Sequence, residues 1–178
     1  MAQVLSLLLA AVLVAVDQLT KYWAIAHLKG QPPLALWPGV FELQYCENPG
    51  VAFSLLENQR WIFIPVTVLV MLLVLVVLFR SRLCRYRTFR LSCALILAGG
   101  IGNLIDRIAY AHVTDFLYFK LIDFPIFNFA DCCVTVGAVL LFVFLLFLYK
   151  EPEELPLRTL LFGIPAKAKA PKDDRHGQ

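Results

Sequence analysis

The sequence predicts an integral membrane protein of the all-α class, with four transmembrane helices and a small β-rich element on the outer surface. Three observations carry this. The chain is 60% hydrophobic and only 16% charged over 178 residues, with a mean hydropathy of +0.74. A domain of that size buries too little surface to hide so much apolar area in water, whereas a bilayer serves as its solvent. Four apolar runs approach the roughly 20 residues that a helix needs to cross about 30 Å of hydrocarbon. The basic residues are distributed unevenly between the segments that join those runs. The formal net charge of +3 carries little information by itself, because position decides what a charge does in a membrane protein.

The first run extends from about Val4 to Trp23 and the second from Trp61 to Phe79. The third covers Leu91 to Ile105 and the fourth Cys132 to Tyr149. Nothing basic stands in Met1-Ala2-Gln3, and Asp17, Gln18 and Lys21 interrupt the end of the first run. No small-residue cleavage signal follows closely, so the first run reads as a retained helix and not a signal peptide. Pro65 falls near the start of the second run, within the first turn or so, where a missing N–H costs least.

Arg80, Arg82, Arg85, Arg87 and Arg90 crowd the link between the second and third runs. Lys150, Arg158, Lys167, Lys169, Lys172 and Arg175 follow the fourth. Lys21, Lys29, Arg60, Arg107 and Lys120 are all that the other two connections hold. The positive-inside rule then places both termini and the arginine-rich link in the cytoplasm. Segments 24–60 and 106–130 face the other side. Phe41-Glu42-Leu43-Gln44-Tyr45 alternates with the period of a half-buried strand. Val113 to Phe119 is β-branched and aromatic, and Pro125 marks a turn beyond it. Residues 151–178, rich in Pro, Lys and Ala, read as a disordered cytoplasmic tail. Cys46, Cys84, Cys93, Cys132 and Cys133 fit neither a disulfide framework nor a zinc site, and read as small apolar packing groups.

Ionisable groups at membrane depth cost about 2.5–3.5 kcal/mol on insertion scales, so those present call for a functional reading. Here they form four clusters that the topology sends to one face. Asp17 and Lys21 stand at i and i+4 and can pair, as an anchor or as part of a site. Asn48-Pro49-Gly50 suits a turn. Gly99, Gly100 and Gly102 permit close helix approach, and Asn103, Asp106 and Arg107 share one helix face. An Asp106–Arg107 pair is one reading of that face; Arg107 presented to an anionic or carbonyl group is another. Asn128 and Asp131 can cap the fourth helix. Asp115 and Asp131 flank the outer turn of an antiparallel hairpin. Two carboxylates in a low-dielectric site keep one proton between them. The ionised one can then take a proton from water while the other donates to a peptide carbonyl. His27, His112 and His176 lack a nucleophile partner, and no set of residues falls at metal-ligand spacing.

The motifs Asp17-x-x-Thr20-Lys21, Asn48-x-Gly50-x-Ala52-Phe53, Gly102-Asn103-x-x-Asp106-Arg107 with Val113-x-Asp115-Phe116, and Phe127-Asn128-x-Ala130-Asp131 occur in that order. Over roughly residues 5–150 the chain thus resembles the lipoprotein signal peptidases (signal peptidase II). The resemblance implies a four-helix transmembrane peptidase domain over 1–150, with a small extracytoplasmic β-cradle and a mobile outer element near 54–61. It implies an aspartyl endopeptidase of the bacterial cytoplasmic (inner) membrane. Such an enzyme removes the signal peptide from a diacylglyceryl-modified prolipoprotein, cutting before the lipidated cysteine at the extracytoplasmic face. By motif position Asp115 and Asp131 are the catalytic pair, and Asn48, Asn103, Arg107 and Asn128 hold substrate or orient the pair. Asp17, Lys21 and Asp106 are supporting polar residues. Globomycin-type cyclic peptides are expected inhibitors and membrane lipids expected partners. The chain is expected to act as a monomer, and no cofactor, metal or nucleic-acid partner is expected. Ala111 stands where the family pattern has Gly, and Cys132 where Ser is common. The connection from Asp115 to Asn128 is short.

Two other classes remain. A proton-coupled carrier also uses intramembrane Asp, Asn and Arg, but its site belongs at the midplane between repeats. No repeat is visible here. A membrane scaffold explains the hydrophobicity but not two aspartates beside three asparagines.

Overall fold

The computed structural model describes residues 1–50 and 60–149, the side chains of 60–62 excepted. The expected outer element near 54–61 and the tail 151–178 fall largely or wholly outside these residues. Among the described residues four helices are long and apolar enough to cross a membrane: Ala2–Leu28, Phe63–Arg80, Arg87–Ala109 and Phe129–Leu148. Their outward faces carry exposed Leu5, Leu8, Val12, Leu69, Leu72, Val139 and Phe142. Such a surface is stable in lipid and unstable in water.

The chain runs α1 (Ala2–Leu28), β1 (Leu34–Trp37), β2 (Phe41–Asn48), α2 (Arg60–Arg80), α3 (Arg87–Ala109), β3 (Val113–Tyr118) and α4 (Phe129–Val143). α4 passes directly into a π turn, Phe144–Leu148. A 3₁₀ turn, Arg82–Arg85, joins α2 to α3, so the arginine-rich link is compact. Each membrane helix is longer than its apolar core, because polar residues at the ends still satisfy their backbone groups helically. α1 continues past Trp23 to Leu28, and α4 starts at Phe129 instead of Cys132. Pro65 is the sixth residue of α2, one residue deeper than the sequence run placed it and just past the first turn. It therefore withholds an N–H that a first-turn proline would not.

α3 is the hub, packing on α1, α2 and α4, and it is the most enclosed of the four. Its glycines make this possible. A Cβ on Gly99 would meet the Ala130 carbonyl oxygen, one on Gly102 would meet Asp17 Oδ2, and one on Gly100 would meet the thioether of Met71. At the end of the bundle where the arginine-rich link lies, Leu78, Leu83, Cys84, Phe89, Leu97 and Phe144 form the main apolar core.

At the other end lies a three-stranded antiparallel sheet in the order β1-β2-β3. β2 occurs where alternation predicted a strand and β3 where β-branched and aromatic residues did. β1 was not foreseen. Its four residues are all exposed, so it has no buried face to write a period into the sequence. The sheet sits on the end of α1 through Ala24, Leu28, Leu43 and Phe116. The short connection after β3 is a tight reversal: a 3₁₀ turn at Lys120–Ile122 ends on left-handed Asp123 (φ 47°). Phe127 then returns to β3, its N–H donating to the Leu117 carbonyl (3.0 Å) while its own carbonyl accepts from Leu117 N–H (2.8 Å). That pairing delivers the start of α4 to the side of Asp115.

Candidate active site

The polar residues of all four sequence clusters meet where α1, α3, α4 and the β2–β3 pair converge. Asp115 lies on β3 opposite Cys46 of β2, and Asn48 ends β2 two residues further on. Asn128 is the N-cap of α4 and Asp131 its third residue, the two forming a reciprocal capping box. Capping and site-building are thus the same geometry: the box fixes the Asp131 carboxyl and turns the Asn128 amide toward Asp115.

Every oxygen of the two carboxyls accepts a hydrogen bond. Asn48 Nδ2 donates to Asp115 Oδ2 at 2.9 Å, and Asn128 Nδ2 donates to Asp115 Oδ1 at 2.6 Å. Asn103 Nδ2 donates to Asp131 Oδ1 at 2.7 Å, and the Asn128 backbone N–H to Asp131 Oδ2 at 3.1 Å. Asn128 Nδ2 also reaches Asn103 Oδ1 at 3.1 Å. One chain of amides therefore links the two aspartates. The turn expected at Asn48 is present as well, since its Oδ1 accepts from Gly50 N–H at 3.1 Å.

Burial pushes the Asp115 carboxyl up to about 6, and the nearby Asp131 carboxylate adds to the rise; the Asn48 and Asn128 amides act against it. Asp115 is 2% exposed and Asn128 wholly buried, whereas Asp131 and Asn103 are half-buried. A cavity of about 590 Å³ opens on the pair, lined by Asn48, Asn103, Arg107, Asp115 and Asp131 on its polar side. Val113, Phe124, Ile126, Phe127 and Val136 make its apolar wall.

Behind the pair lies a second, buried layer. Lys21 Nζ contacts Asp17 Oδ2 at 2.9 Å and Asp106 Oδ2 at 3.0 Å, and donates to Asn103 Oδ1 at 3.0 Å. Asp17 Oδ1 accepts from Ala130 N–H (2.9 Å) in the first turn of α4, and Asp106 Oδ2 from Thr114 N–H (3.1 Å) in β3. Asp106 thus pairs with Lys21 and not with Arg107. Successive helix positions point about 100° apart, which sends the two side chains to different neighbours. Arg107 instead faces the cavity, donating to the Asn103 carbonyl (3.2 Å) and lying over the Phe63 ring (6.0 Å).

All nine residues singled out from sequence lie in this one region. Gln18 was missed as a site residue: its amide donates to Asp106 Oδ1 (3.1 Å) and the Gly102 carbonyl (3.3 Å). Its place beside Asp17, in a run otherwise apolar, was the available signal.

These contacts make a pair of carboxyls that share a hydrogen-bond network beside an apolar cavity, able to activate water and protonate an acyl oxygen. A family model described as signal peptidase (SPase) II matches residues 9–147. A lipoprotein signal peptidase of Symbiobacterium thermophilum is 42% identical over 149 residues, covering 83% of this chain and 97% of that protein. Another, from Streptococcus pyogenes serotype M1, is 42% identical over 151 residues, 84% of this chain and 94% of that one. Among solved structures, a bacterial membrane enzyme determined by the in meso method at 2.3 Å superposes with a TM-score of 0.73 at 28% identity. That match covers 85% of this chain and 94% of the other. A second, at 1.9 Å, gives a TM-score of 0.72 at 29% identity. The chain belongs to the signal peptidase II family of membrane peptidases.

Proposed function

We propose that this chain removes the signal peptide from diacylglyceryl-modified bacterial prolipoproteins, cutting before the lipidated cysteine, with Asp115 and Asp131 as the catalytic pair. The observation that carries the assignment is the amide chain that holds both carboxyls at the mouth of a cavity with one apolar wall.

The pair holds one proton. The ionised carboxylate takes a proton from a water molecule as the water oxygen bonds to the scissile carbonyl carbon. The protonated carboxyl gives its proton to the carbonyl oxygen. Collapse of the tetrahedral intermediate returns one hydroxyl proton to the ionised carboxylate as the C–N bond breaks, and the other carboxyl gives its proton to the leaving amine, which restores the singly protonated pair. Asn48, Asn103 and Asn128 hold the carboxyls in register, and Arg107 offers a cationic donor to the substrate backbone. Asp17, Lys21 and Asp106 brace the helices behind them.

The apolar wall accommodates acyl chain or signal-peptide side chains arriving laterally from the leaflet. The arginines of residues 80–90 support cytoplasmic termini, and hence a site at the extracytoplasmic face of the inner membrane. The enzyme acts as a monomer, with globomycin-type cyclic peptides as inhibitors at the same cavity. Membership of a peptidase family does not favour the carrier alternative.

The test is cleavage by purified protein in lipid of one prolipoprotein with and without its diacylglyceryl group. Cutting of the lipidated form alone, immediately before the cysteine, is the expected result. Equal cutting of both forms, or no cutting, contradicts the substrate assignment.

A further inference from the structure

We infer that Lys21 is a positioning residue for the reaction: its ammonium fixes which end of the Asn103 amide faces Asp131. This rests on the reading of Asp115 and Asp131 as the catalytic pair.

An ammonium has three N–H donors and no acceptor. The three donors of Lys21 are matched by three acceptors, Asp17 Oδ2, Asp106 Oδ2 and Asn103 Oδ1, at 2.9–3.0 Å. The side chain is 3% exposed, so water does not substitute for any of them. The oxygen of the Asn103 amide must therefore face Lys21, and its NH₂ must face Asp131 Oδ1. Reversal of the amide would set its NH₂ against the ammonium and against Asn128 Nδ2, and its oxygen against a carboxylate oxygen. Each of those contacts is repulsive, and a buried donor would be left unsatisfied.

The second amide is fixed by a different device. Asn128 Oδ1 accepts from Asp131 N–H at 3.0 Å, so helix capping turns the Asn128 NH₂ toward Asp115. One aspartate is thus set by a helix cap and the other by a buried cation. The cation is itself held between α1 and α3 by the Asp17 and Asp106 carboxylates. Asp17 and Asp106 hold Lys21 while also accepting from Ala130 N–H in α4 and Thr114 N–H in β3, and Lys21 acts through Asn103.

Substituting Lys21 alone leaves two buried carboxylates facing each other and risks the fold. Lys21→Gln combined with Asp17→Asn keeps the formal charge of the cluster unchanged and lets the two new amides pair. On a lipidated prolipoprotein, the expected result is a kcat lower by 10- to 100-fold with KM unchanged, measured per folded enzyme. In an Asn103→Leu background the same pair of substitutions should lower kcat less than 2-fold further, since the group through which Lys21 acts is already gone. Equal losses in both backgrounds overturn the assignment and leave Lys21 a structural or long-range electrostatic group. If the paired substitution does not fold, Lys21→Arg, which keeps a donor but displaces it, goes through the same cycle. A loss that disappears without Asn103 supports the inference, and one that persists refutes it. If Asp115→Asn or Asp131→Asn still cuts, the catalytic pair itself fails. If both are inactive and the cycle is additive, only the role of Lys21 falls.

Discussion

At the scale of single residues, the site is a problem in hydrogen-bond direction. Three asparagines are used where a carboxylate oxygen needs a donor and the same side chain must accept elsewhere. The family resemblance identified these residues but not their pairings, because a motif's spacing along a chain carries no information about which end of an amide points where. The sign of the Asp115 shift has a direct consequence. A carboxyl raised to about 6 by burial keeps the shared proton to higher pH than an ordinary aspartate does. The singly protonated pair therefore persists into the weakly acidic range, and is lost as pH rises further. The alkaline limb of kcat/KM should fall at or above about pH 6; a decline already complete by pH 5 would contradict the burial argument. Ala111 gives a second prediction. It lies at φ 66°, the left-handed region in which a Cβ is strained, at the position where Gly had been expected. Ala111→Gly should raise the thermal midpoint in detergent, corresponding to about 0.5–1 kcal/mol, with activity unchanged. An unchanged or lower midpoint would show that the surrounding turn already absorbs the strain.

At the scale of elements, apolar length located all four helices, alternation located β2, and β-branched and aromatic composition located β3. The ends were harder to read. Polar residues such as His27 or Arg87 continue a helix once neighbouring backbone supports them, and no hydropathy signal marks that. β1 escaped because strand periodicity exists only where one face is buried. The glycines of α3 were legible as a close approach, and the structure separates their roles. Gly99 and Gly102 face backbone or a fixed carboxylate, whereas Gly100 faces the flexible end of Met71. Gly100→Ala should therefore cost little, since the thioether can move aside. Gly102→Ala must displace Asp17 from Lys21 and should destabilise by about 1–3 kcal/mol, with a loss of cleavage in the same variant. Equal tolerance of both, in parallel melting and cleavage assays, would show that α1 and α3 pack more loosely than described.

At the scale of the whole molecule, the fold places polar chemistry at one end of an apolar bundle and an apolar core at the other. Helix α3 ties the two together. Its middle packs on three helices, and its end supplies Asn103, Asp106 and Arg107 to the site. Burying a cation between two carboxylates is costly unless all three are fully paired. Here they also hold α1, α3, α4 and β3 in register, so the same contacts that fix the architecture set the catalytic groups. The convergence of the four motifs on one face was readable from topology. The layering of a buried ionic cluster behind a half-buried pair was not, since it depends on how far each helix end projects. The most direct measurement of the central claim is cleavage of a diacylglyceryl-modified prolipoprotein by Asp115→Asn and Asp131→Asn variants, each shown to melt like wild type. The account predicts that wild type cuts before the lipidated cysteine and that each folded variant is slower by at least about 10³-fold. Near wild-type cleavage by either variant would contradict it.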